Sequence, residues 1–185
     1  QKHYGIDQAI VVDIADDANP AQIKQAIGSA AANDMQTSIR PNDMVGISSW
    51  SSTIRAMVDN LHPLNIKTSG VIQLLGGVGP NGNVQATLLT QALATILNCP
   101  AYLLPAQSIE RSTEDRARLI SSGEVADVVN KFAEVDLALV GIGDLEPSQL
   151  LRNSGNYYHG EMLQLLAERG AVGDLCLHYF DAAGN

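Results

Sequence analysis

The chain has 185 residues, 45% of them hydrophobic, which is enough for one good core, and nothing in it reads as a linker between two domains. Eleven Lys and Arg against twenty Asp and Glu leave a formal net charge of −9, so there is no basic stripe for a nucleic-acid backbone and the chain by itself is not expected to bind DNA. Cys99 and Cys176 are the only cysteines, no Asn-x-Ser/Thr acceptor occurs, and no apolar stretch is long enough to span a bilayer, so a soluble, cytoplasmic protein with no membrane partner is expected.

Apolar runs alternate with helical patterns along the chain. Ala9–Val12 reads as a first strand, followed by the turn Asp13–Asn19 and a helix capped by Asn19 with Pro20 at its first position. Ile23, Ala26, Ile27, Ala30 and Ala31 recur on what would be its buried face. Met44–Ile47 is a second strand and Ser52–Leu61 a second helix. Val71–Leu75 is a third strand, Gly76–Asn83 a loop and Val84–Leu97 a third helix. Ala101–Leu104 makes a fourth strand ending at Pro105. A charged helical region, Thr113–Ala133, breaks near Ser122-Gly123, and Leu137–Val140 is a fifth strand with Gly141-Ile142-Gly143 as its turn. Alternation at this spacing predicts an α/β fold: a doubly wound, mostly parallel, Rossmann-like sheet with helices on both faces. Ligands in such sheets sit outside the carboxyl ends of the strands.

Three polar loops fall there. Ser48–Thr53 places five hydroxyls and Trp50 between an apolar strand and the start of a helix, where free N–H groups and the dipole attract anions. Ser49, Ser51, Ser52 and Thr53 then either hold a phosphate or polyol, or form an N-cap and a plain polar loop. Trp50 is either core or a platform for a sugar ring. Gly76-Gly77-Val78-Gly79 either lets the backbone approach a ligand or makes a tight turn needing positive φ. Its spacing is neither Gly-x-Gly-x-x-Gly nor a Walker pattern, which disfavours nucleotides. Gln85, just inside the next helix, would reach a sugar hydroxyl from the same crevice or stand exposed. Asp144 would accept from polyol hydroxyls or simply start a helix.

Other chemistries lack their residues. Asp13, Asp16 and Asp17 after the first strand are explained by a capping loop before Pro20 better than by an aspartyl nucleophile or metal site. His3, His62, His159 and His178 are scattered without ligand spacing, so no metal or other cofactor is expected. Ser49 lacks the glycines of a nucleophile elbow.

Several segments together carry a resemblance: Gly46–Thr53, Leu75–Gly79, Ala101–Ala106, Val140–Gly143, and above all Gly170-Ala171-Val172-Gly173-Asp174-Leu175-Cys176 with Tyr179-Phe180-Asp181. In order and spacing the chain resembles the sugar-binding domain of SorC-type bacterial transcriptional regulators from about Ile10 to its last residue.

The resemblance implies a single effector-binding and oligomerisation domain over residues 1–185, similar in fold to sugar-phosphate isomerases and deaminases. It implies a phosphorylated sugar or polyol as effector, a homo-oligomer (dimer or tetramer), and contact with DNA only through a helix-turn-helix that this chain lacks. By the same resemblance Ser52 and Thr53 contact the phosphate or hydroxyls, the Gly76–Gly79 loop cradles the effector, and Gln85 and Asp144 bond its hydroxyls. The family's N-terminal DNA-binding module and its C-terminal end are absent from the sequence, which is read as a trimmed chain. Trp50 and Ser51 stand where relatives often carry Gly, narrowing the pocket. A non-catalytic sensor is therefore expected. An isomerase-like enzyme with Asp144 as its base is the alternative, and a pure dimerisation domain a third reading.

Overall fold

The computed structural model describes residues 5–78, 82–146 and 160–185. Its first regular element is α1 (Pro20–Ser38), and the start is local chemistry. Asn19 Oδ1 accepts the Ala21 and Gln22 N–H groups at 3.0 Å each, and the Gln22 side chain accepts the Asn19 N–H at 2.9 Å. Those bonds satisfy three donors that a helix start leaves over, and Pro20 needs none.

The sheet follows. Strands β1 (Met44–Ile47), β2 (Gly70–Gln73), β3 (Ala101–Tyr102) and β4 (Leu137–Leu139) are parallel, in the spatial order β3-β2-β1-β4. Every residue of β1 and β2 is buried, because helices cover both faces. On one face Val45, Ile47 and Val71 meet Met35 of α1, Met57 of α2 (Ser52–Asn60) and Leu93 of α3 (Gly82–Ile96). On the other, Met44 and Ile72 meet Leu104 with Val125 and Val128 of α5 (Gly123–Asn130), which follows α4 (Thr113–Ile120). The expected doubly wound sheet and the break at Ser122-Gly123 are both present, and a 3-10 turn, Lys131–Glu134, leads into β4.

Three expectations need correction. Ala9–Val12 is not a strand: Val11 is 92% exposed, and Ile10, Val11 and Val12 line an apolar groove of about 550 Å3 with Ile27, Ala30 and Ala31 of α1. The fully buried positions of α1 are Gly28, Ala32 and Met35; of the expected face Ala31 packs partly buried against the core, whereas Ile23 and Ile27 face outward. The cause is Gly28, where a Cβ would sit 2.7 Å from the carbonyl carbon and Cβ of Ala56. Its missing side chain lets α1 close onto α2, and that contact fixes the helix rotation. Finally, Ile142-Gly143 is not a turn but a short strand, β5. It pairs antiparallel with β6 (Ala171–Leu175), which pairs in turn with β7 (His178–Asp181), giving a second, three-stranded sheet. Helix α6 (Gly160–Glu168) precedes β6. No described helix is long and apolar enough to cross a membrane. Of the histidines, His62 and His178 are exposed, while His3 and His159 lie outside the described residues.

Candidate functional site

From β1 the chain moves outward to β2 and β3, then returns to the other side of β1 for β4. The strand order therefore reverses between β1 and β4, and the crevice of an open α/β sheet opens beyond the carboxyl ends of those two strands. The two loops that border it touch. The Ser48 N–H donates to the Leu139 carbonyl at 2.9 Å, and a Cβ on Gly141 would run into the Ser51 side chain.

Residues of the hydroxyl segment part company here. Ser49 is fully buried, its Oγ 2.9 Å from Thr90 Oγ1, and the Thr90 hydroxyl donates to the Ala86 carbonyl at 2.9 Å. Trp50 is also buried: its indole N–H donates to the Gly76 carbonyl at 3.0 Å, and its ring packs with Val78 and Ala86. Ser51 is the N-cap of α2, its Oγ accepting the Ile54 N–H at 3.3 Å. Ser52 and Thr53 stand half-buried on the first turn, and their hydroxyls have no hydrogen-bond partner among the described residues. The main-chain N–H groups of Ser52 and Thr53, which a helix cannot use internally, accompany them, the Ile54 N–H being taken by Ser51. Donors without a partner among the described residues, at the positive end of a dipole, suit an anion.

Gly76 and Gly77 are held by another strand-like segment. Gly77 donates to the Ala106 carbonyl at 2.8 Å, its own carbonyl accepts from the Ser108 N–H at 2.8 Å, and a Cβ on Gly76 would strike the Ala106 carbonyl. Neither glycine has positive φ, so close backbone approach is what requires glycine at position 76. Gln73, fully buried at the end of β2, braces the same loop by donating to the Leu75 carbonyl at 2.6 Å. Its Oε1 has no partner among the described residues. Gly79 lies outside the described residues. Gln85 is exposed on α3, and Asp144 is exposed beyond β5 with its Oδ1 accepting the Glu146 N–H at 2.8 Å.

The tip of the β6–β7 hairpin, to which sequence reasoning assigned no site role, reaches this crevice. Cys176 and Leu177 both take positive φ, 52° and 63°, the pair of left-handed residues a two-residue hairpin turn demands. Asp174 supports the turn by accepting the Leu177 N–H at 3.0 Å, and Gly143 of β5 lies so close to Asp174 that a side chain there would collide with its carboxylate. Leu177 packs against the Trp50 cluster. The Cys176 thiol meets Ser48: burial pushes its pKa up, the Ser48 hydrogen bond pulls it back and the Asp174 charge raises it again. The turn has no Gly or Asn to mark it in the sequence. The only available sign was the Gly-Ala-Val-Gly-Asp run, used there for the resemblance alone.

Chemically, the crevice offers hydroxyls, amides and one half-buried thiol. Among the described residues no group of three or more His, Cys, Asp or Glu could hold a metal ion.

The comparisons with known proteins agree with the fold. A family model described as "Putative sugar-binding domain" matches residues 1–185. A solved structure described as "Putative sugar-binding domain of transcriptional regulator DeoR from Pseudomonas syringae pv. tomato" is 51% identical with a TM-score of 0.73, and the match covers 98% of this chain and 69% of that one. The erythritol catabolism regulatory protein EryD of Brucella abortus is 29% identical over 184 residues, 98% of this chain and 57% of that protein. The deoxyribonucleoside regulator of Bacillus subtilis is 25% identical over 186 residues, 100% of this chain and 58% of that protein. The chain thus spans a little over half the length of these curated relatives.

Proposed function

The chain belongs to the sugar-binding-domain family of transcriptional regulators, and on that premise we propose that it is the sensor of a cytoplasmic bacterial regulator, binding a phosphorylated sugar or polyol. The observation that carries the phosphate is the first turn of α2, where Ser52 and Thr53 present hydroxyls without partners among the described residues beside main-chain N–H groups that the helix leaves over. Such donors hold an anion on a chain of net charge −9 without a lysine or arginine.

Ser51 orders that turn. Ser49 and Trp50 act from behind it, tying the loop to α3 and to Gly76. Gly76 and Gly77 shape the floor, with the Gly77 N–H already committed to Ala106. The hydroxyl end of the effector lies toward the β4–β5 loop, within reach of Asp144 and of the hairpin tip at Cys176, with Gln85 contributing from α3. In the whole regulator this binding is relayed to a DNA-binding module outside the chain, and the assembly is a homo-oligomer.

No observation favours an isomerase or deaminase. The nominated base, Asp144, is exposed, with one carboxylate oxygen engaged by the Glu146 N–H. A thermal-shift screen of tetrose, pentose and hexose phosphates and polyol phosphates, run with a turnover assay on each, tests the proposal. Stabilisation by one or a few phosphates without turnover supports it; turnover of the stabilising compound contradicts it.

A further inference from the structure

Five polar side chains are buried among the described residues: Ser48, Ser49, Thr68, Gln73 and Thr90. Four of them gather at the carboxyl edge of β1 and β2, where the candidate site lies. Ser48 and Ser49 follow β1, Gln73 ends β2, and Thr90 reaches Ser49 from α3. Thr90 is the one polar residue on the buried stripe of its helix, which Ala86, Leu89, Leu93 and Ala94 otherwise fill at helical spacing. Valine has the same shape and would avoid the cost of burying a hydroxyl, so packing alone does not account for threonine. The direction of its hydrogen bonds does. Thr90 has a single hydroxyl proton, given to the Ala86 carbonyl at 2.9 Å, so toward Ser49 its Oγ1 is an acceptor and Ser49 is the donor. The Ser49 hydroxyl is fully buried and has no other hydrogen-bond partner among the described residues. Its neighbour Trp50 packs on Ala86, one turn before Thr90. Two consecutive residues of the crevice loop therefore take their places from one turn of α3, and the residues that follow them cap and begin α2.

We propose that Thr90 is a positioning residue of the effector site. It touches no ligand; it holds the Ser49–Trp50 turn, and with it the first turn of α2, in the geometry that presents Ser52 and Thr53. The consequence for affinity rests on the sensor reading above, whereas the consequence for the turn does not. Thr90→Val keeps the shape of the side chain and its apolar contacts but leaves the Ser49 hydroxyl a buried donor without an acceptor. That donor then recovers a partner only if the turn moves away from α3 toward water. Moving it loosens the packing of Trp50 on Ala86 and displaces Ser51, whose hydroxyl caps α2.

Trp50 is the chain's single tryptophan, so its fluorescence reports this turn directly. In the whole 185-residue chain without ligand, Thr90→Val should move the emission to longer wavelength and raise its quenching by acrylamide, with unchanged far-ultraviolet circular dichroism. Thr90→Ser, which keeps the hydroxyl, should match the wild type. So should Asn19→Ala, which weakens a helix start that makes none of these contacts. Wild-type emission and quenching in Thr90→Val, or an equal change in Asn19→Ala, overturns the proposal. Titration with the sugar or polyol phosphate that best stabilises the wild type supplies the second readout. Thr90→Val should weaken it about tenfold and Thr90→Ser should restore it, while Ser49→Ala combined with Thr90→Val should be no worse than Thr90→Val alone, because both remove one bond. Undiminished affinity in Thr90→Val, or additive losses in the double variant, overturns the positioning role. A wild type that binds no phosphate contradicts the sensor reading instead, and the fluorescence of Thr90→Val still decides whether Thr90 sets the turn.

Discussion

Ser49, Trp50, Ser51, Ser52 and Thr53 follow one another in the chain, yet among these only Ser52 and Thr53 have hydroxyls with no hydrogen-bond partner among the described residues. Thr53→Val keeps the shape and removes a donor to a charged group, so it should weaken a phosphorylated effector by about 1.5–3 kcal/mol and the unphosphorylated parent much less. Equal losses on both ligands in calorimetric titration would place the phosphate elsewhere. In the proposed binding mode Asp144 bonds only the polyol end, so Asp144→Asn should weaken both ligands alike. A selective loss with the phosphorylated one would contradict that placement. Trp50 makes a different prediction because its indole N–H is buried on the Gly76 carbonyl. Trp50→Phe leaves that acceptor unpaired and should destabilise the fold by about 1–3 kcal/mol, read as a shift of the urea midpoint.

At the scale of elements, the α1–α2 contact depends on one missing side chain. Gly28→Leu forces α1 away from Ala56 and should cost about 1–3 kcal/mol in urea unfolding. Asn19→Ala, which removes only the cap, should cost about 1 kcal/mol. A Gly28→Leu variant as stable as the wild type would mean that the α1–α2 contact is loose. The same residue shows what the sequence could and could not disclose. Asn19-Pro20 announces the start of α1 because capping is local chemistry. Ile23 and Ile27 mislead about its buried face because the rotation of a helix is set by its partner, and a glycine contact carries no hydrophobic mark. Met44–Ile47 is readable as a strand because both its faces are buried and the run is wholly apolar. Ala9–Val12 has a similar composition and no partner strand among the described residues, and pairing is a long-range property. Within the candidate site, the end of β1 and the start of α2 were legible from apolar-to-hydroxyl order. The burial of Ser49 on Thr90 was not, since it depends on two residues far apart in the chain meeting between strand and helix.

For the molecule as a whole, two thiols link stability to pH. Burial raises the pKa of both Cys99 and Cys176, so the folded state prefers them protonated. Their contribution is complete below the ordinary thiol pKa of about 8.5 and is lost as pH rises through that value toward the raised one. The urea midpoint should fall between pH 8 and pH 10 more steeply for the wild type than for a Cys99→Ala, Cys176→Ala double variant. Parallel curves would remove the thiols from the account. Net charge makes another statement at this scale: at −9 the isolated chain should not retard operator DNA at moderate salt, and salt-sensitive binding in a gel-shift assay would contradict the assignment of DNA contact to a separate module. The central claim, a sensor that holds an anionic effector on the first turn of α2, is tested most directly by isothermal titration of the wild-type chain with its best-stabilising sugar or polyol phosphate and with the same compound lacking the phosphate. Binding without turnover, at least tenfold tighter for the phosphorylated form, is the result expected; equal affinity for the two, or no binding of any phosphate in the panel, is the result that would contradict it.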